Sequence, residues 1–151
     1  MPSDLSRPVA RIGDHSIHAL LAPITFVCFL GTLVTDIVYW RTADMQWANF
    51  SAWMLTVGLI VAVFVVIFGL VDFALDRRLH TLRGAWLHGL GYGAALVLAI
   101  INAFVHTRDA YSSVVPEGLI LSVLVALILL IVGWNDRAMM SYRRTVAEDR
   151  P

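Results

Sequence analysis

Four long apolar windows, each about the length a helix needs to cross a bilayer, decide what this chain can fold into. They run from about Ile17 to Trp40, Asn49 to Val71, Ala85 to Val105 and Val114 to Trp134. The polar segments between them, Arg41 to Ala48, Asp72 to Gly84 and His106 to Ser113, are too short for a soluble domain, so consecutive helices must be antiparallel neighbours. The expectation is an all-α fold, a transmembrane four-helix bundle of up-down topology. It forms one integral membrane domain over residues 1–151, with flexible tails at 1–14 and 138–151. The first window is longer than the apolar part of a secretory signal and ends on Tyr39 and Trp40 rather than on small residues, which predicts that it is retained.

Composition agrees. A chain of 151 residues that is 59% hydrophobic and 15% charged is too apolar for an ordinary soluble domain. Its formal net charge of zero leaves no electrostatic footprint for nucleic acid. The lone Cys28 excludes an intramolecular disulfide and a structural cysteine-type metal site. Trp40, Trp47, Trp53, Trp86, Trp134, Tyr39 and Tyr111 fall at or near window ends, where amphipathic rings favour the headgroup layer. Arginine collects in the N-terminal tail (Arg7, Arg11), the middle loop (Arg77, Arg78, Arg83) and the C-terminal tail (Arg137, Arg143, Arg144, Arg150). The other two loops hold only Arg41 and Arg108. The positive-inside rule then places both termini and the middle loop of this multi-pass protein in the cytoplasm.

Within lipid, small and polar residues mark the faces on which helices pack. On the first window His15, His18, Ala22, Thr25, Thr32 and Asp36 share a stripe. On the third, Gly84, His88, Gly91, Ala95, Ala99, Asn102 and His106 do so. Gly58, Gly69, Asp72 and Asp76 mark the second window, and Gly118, Ser122, Gly133 and Asp136 mark the fourth more weakly.

Ionisable groups inside a membrane cost several kcal/mol unless they are paired, hydrated or ligated. His15, His18, Asp72, Asp76, His88 and Asp136 lie toward one face, while Asp36, Asn102, His106 and Arg108 form a second polar group at the other, with Glu117 and Arg41 nearby. For the first group, His18 and His88 at matched depth on two inward stripes are candidate axial ligands of a haem b. Alternatively, His15, His18, Asp72 and His88 offer the imidazole and carboxylate ligands of a transition metal, or the histidines are only structural. In the second group, Asp36 is expected to pair with Arg108 or Asn102, with a proton path as the alternative. No catalytic constellation is expected, because serines such as Ser122 have no matched His and Asp at their depth. Gly89 to Gly93 lies inside a helical window with no preceding strand, which excludes a phosphate-cradling loop.

The ordered landmarks Gly13, His15, Ser16, His18, Pro23 and Asp36, then Gly69 and Asp72, His88, Asn102 and Arg108, and finally Gly133 and Trp134, resemble domain-of-unknown-function family 2231. These are bacterial four-span membrane proteins without an established common activity. The resemblance covers Gly13 to about Tyr142. The chain departs from the pattern where Ser16 replaces the usual Pro, where Tyr92 stands in place of a frequent Asn, and in lacking the Gly-Gly and later His after Trp134. Some family members are fused to Rieske iron–sulfur domains or lie beside quinoprotein-type dehydrogenases, which implies a redox-linked membrane partner. The resulting expectation is an accessory or electron-transfer subunit, haem- or quinone-linked, without catalytic activity of its own. The alternatives are a cofactor-free membrane anchor, with or without self-association, and a small metal or proton transporter.

Overall fold

The computed structural model describes residues 11–12, 15–75, 83–108 and 113–148. Its core is four long helices, α1 (Ile17–Thr42), α2 (Met45–Leu75), α3 (Arg83–His106) and α4 (Glu117–Glu148). A two-residue antiparallel pair, β1 (Arg11–Ile12) with β2 (His15–Ser16), precedes them and joins Arg11 to Ser16 and Ile12 to His15. All four helices are long and apolar enough to span a bilayer. The helices outrun the apolar windows: α2 begins at Met45, and α4 continues past Trp134 to Glu148, through residues the sequence reading assigned to a tail.

The α1–α2 turn shows why so short a connection works. Ala43 takes a left-handed φ of 53° and closes α1 by donating from its N–H to the Tyr39 carbonyl at 2.8 Å. Thr42 Oγ1 then accepts from the Asp44 N–H at 3.3 Å, and Asp44 Oδ1 accepts from the Gln46 N–H at 3.0 Å, capping the start of α2. The chain reverses within two residues, and α1 and α2 pack along their length as the most extensive helix pair. α3 and α4 form the second hairpin, α1 against α4 joins the hairpins, and α2 against α3 is the lightest seam. One end of the bundle therefore carries the α1–α2 and α3–α4 connections, here termed the two-loop end. At the other end α1 starts, α2 stops, α3 starts and α4 stops.

The interior follows the small-residue stripes. Phe29, Leu55, Ala62, Val65, Tyr92, Ala95, Ala99, Val125 and Leu129 make the core. Gly58 sits so tightly on α1 that a Cβ there would come within 2.8 Å of the Phe29 ring, and one at Gly91 would collide with Val132. Most of each helix surface instead presents large apolar side chains outward, among them Val27, Phe64, Leu70, Phe104 and Ile131, as lipid requires. Trp40, Trp53, Trp86 and Trp134 are exposed near helix ends, and the Arg41 guanidinium lies 5.2 Å over the Trp40 ring. Two expectations need correction. Tyr39 is buried with Ala48 and Val114 under the two-loop end instead of joining the headgroup belt, because the tight turn folds α2 over it. Gly133 is exposed on α4, whose inward stripe runs through Ser122, Val125, Ala126 and Leu129.

Candidate functional site

At the two-loop end the four helices each contribute a polar side chain to one buried network. Asp36 comes from α1, six residues before α1 ends, and is fully buried (0% exposed). Ser51, in the second turn of α2, donates to Asp36 Oδ1 across the first hairpin. Ser122, in the second turn of α4, donates to Asp36 Oδ2 at 2.5 Å. Asn102 and His106, one turn apart on α3, complete it: Asn102 Nδ2 donates to Ser122 Oγ at 2.8 Å, and His106 Nε2 lies 3.1 Å from both Asp36 Oδ1 and Ser51 Oγ. The His106 side chain is only 3% exposed. Helix-start positions on α2 and α4 meet helix-end positions on α1 and α3 because antiparallel neighbours place those turns at one depth.

The geometry fixes most of the protons. His106 Nδ1 lies 3.0 Å from the Asn102 carbonyl, which only accepts, so Nδ1 carries a hydrogen and Nε2 is the nitrogen whose state varies. Gly118 holds the ring in place: a Cβ there would come within 2.9 Å of both His106 Cε1 and the Ser113 carbonyl oxygen. The arrangement is not a nucleophile triad. Both Asp36 and Ser51 address the same imidazole nitrogen, and the other nitrogen is spent on a main-chain carbonyl rather than on a carboxylate.

Energetically the network comes close to even. Placing an Asp at the centre of a membrane helix costs roughly 2.5–3.5 kcal/mol on insertion scales. Interhelical hydrogen bonds in lipid contribute about 0.6 kcal/mol each and at most about 1.7. At about 0.6 kcal/mol each, the three partners of Asp36 return roughly 2 kcal/mol, no more than its cost, so net stability alone is a poor reason for this residue to be here.

The structure brings together Asp36, Asn102 and His106 and corrects two expectations around them. Asp36 pairs with His106 and the two serines; Arg108 instead makes an exposed ion pair with Glu117, outside the network. Ser122 does have an Asp and a His at its depth. Ser51 was absent from the sequence stripes, although it continues the α2 face through Leu55, Gly58, Ala62, Val65, Gly69 and Asp72 at intervals of three and four.

Toward the other end, His88 is half-buried and stacks on Tyr92 with ring centroids 6.1 Å apart and planes 16° off parallel. Asp72 is buried on α2. The side chains of His15, His18 and Asp136, and the whole of Asp76 and Tyr111, lie outside the described residues. Among the described residues no three His, Cys, Asp or Glu side chains gather as a metal-binding group. Thr25 and Tyr92 approach each other across the bundle, yet neither hydroxyl makes a well-formed hydrogen bond among the described residues.

Compared with known families, residues 14–149 match DUF2231, described as predicted membrane protein. The chain belongs to that family. No curated protein and no solved structure matches it.

Proposed function

We propose that this protein is a proton-handling subunit of the bacterial inner membrane, working through one proton shared by Asp36 and His106. The observation that carries the reading is the position of His106 Nε2, 3.1 Å from Asp36 Oδ1, with Nδ1 already committed to the Asn102 carbonyl. Two bare lone pairs facing each other at that distance repel, so the pair must hold a proton: either Asp36 is protonated and His106 neutral, or the carboxylate faces an imidazolium. Either form is neutral overall, as a low-dielectric interior demands. Ser51 reaches both partners and turns its hydrogen to whichever lacks one. A centre of this kind suits an accessory role beside a redox partner, whose chemistry takes up and releases protons.

The test is infrared difference spectroscopy of the protein in nanodiscs across a pH change. A carboxylic C=O band that appears and disappears with pH, is lost in Asp36→Asn and is displaced in His106→Gln is the expected result. The proposal is overturned by a carboxyl signal at Asp36 that does not respond to pH.

A haem b held by His18 and His88 is a second proposal, favoured by the half-buried His88 ring stacked on Tyr92. Protein from haem-replete cells should then show an absorption band that shifts on reduction and is lost in His88→Ala; a colourless preparation rejects it.

A further inference from the structure

The proton accounts for every polar atom of the network except one. Asn102 is 1% exposed and its Nδ2 donates to Ser122, but its Oδ1 accepts from no donor among the described residues. The amide cannot simply be turned round. Ser122 has one hydrogen, which Asp36 Oδ2 takes at 2.5 Å, so Ser122 must accept from Asn102, and a flipped amide would oppose two lone pairs. A buried acceptor without a donor costs about 1–3 kcal/mol and is rare in native interiors. Here it belongs to the same network as a carboxylate, two hydroxyl oxygens and, 3.5 Å beyond Ser51, the Thr32 carbonyl. All of these are hard oxygen ligands.

Charge decides what such a set can hold. With its proton the Asp36–His106 pair is neutral; without it the network carries one uncompensated negative charge among apolar residues. A single positive charge restores neutrality, whereas a divalent ion would leave a buried excess of one. We propose that the network binds one dehydrated alkali cation in exchange for the shared proton. The ligands are the Asp36 carboxylate, the Ser51 and Ser122 hydroxyl oxygens and Asn102 Oδ1. Neutral His106 permits the cation and the imidazolium repels it, which makes occupancy by cation and proton mutually exclusive. This inference rests on the proton reading, because the cation enters as the proton leaves.

The experiment repeats the pH titration of the Asp36 carboxyl band in nanodiscs at constant ionic strength, with choline replaced stepwise by Na+. One-for-one exchange predicts that, once Na+ saturates the site, each further tenfold rise in Na+ lowers the titration midpoint by about one pH unit, while choline leaves it in place. Asn102→Ala and, independently, Ser122→Ala should weaken the Na+ effect at least tenfold and leave the carboxyl band titrating. Binding of 22Na+ should reach one ion per chain and vanish in Asp36→Asn. A carboxyl band that titrates with pH but ignores Na+ overturns the cation site and leaves the proton reading standing. A band that does not titrate at all overturns both.

Discussion

Two polar regions of the bundle interior differ in how completely they are satisfied. At the two-loop end, side chains from all four helices share one network around Asp36, in which only Asn102 Oδ1 lacks a partner among the described residues. Deeper in, Thr25 and Tyr92 place two hydroxyls in the interior from diagonal helices and neither is well bonded. Between them lies an apolar layer that includes Phe29, Leu55, Ala95 and Ala99. In lipid an unsatisfied hydroxyl is tolerable, but an unsatisfied carboxylate is not. The first region is therefore tied together by its charge, and the second only by packing.

Substitutions should separate the two. The largest effect is expected from Asp36→Ala, which strands His106, Ser51 and Ser122 at once. A loss of about 3 kcal/mol in unfolding from mixed micelles is expected, the upper end of what leaving buried neutral polar groups unpaired costs, with Asp36→Asn milder. If Asp36→Ala costs no more than Thr25→Val, the contrast between the regions collapses. Gly118→Ala comes next: its Cβ meets both the imidazole and a main-chain oxygen that cannot rotate away, so about 1–3 kcal/mol should be lost and the His106 ring resonances displaced in NMR spectra. Tyr92→Phe should change stability by less than about 0.5 kcal/mol or raise it slightly, since the hydroxyl removed had no well-formed bond to lose. A clear destabilisation there would show the inner hydroxyls to be bridged after all. Arg108→Ala, at the exposed pair with Glu117, should be nearly silent in the same unfolding assay.

How much of this could be read beforehand depends on which physics spoke through the residue type. The four spans were legible because helix length and apolarity are imposed by the bilayer itself. Asp36, Asn102 and His106 stood out because each is costly in an apolar window. Ser51 did not, and Ser122 stood out only on a weak packing stripe, since a serine in a membrane helix ordinarily satisfies itself on its own helix, as the Thr32 and Thr35 hydroxyls do here on the Cys28 and Gly31 carbonyls. Their reach across to Asp36 depends on the register of two hairpins, which no local pattern encodes. The partner of Asp36 was misread for a similar reason. Arg108 lies close in sequence to the right depth, but it falls just beyond the end of α3 and turns outward to Glu117, leaving His106 on the inward face.

The apolar layer also governs how membrane voltage acts on the site. Asp36 lies roughly 9 Å of helix from the end of its span at Thr42, about a quarter of the way across. A monovalent charge arriving there from the near side crosses about that share of the field, some 0.6 kcal/mol per 100 mV out of the full 2.3. Occupancy should therefore track the solution bathing the near surface, with the electrical gradient a minor lever.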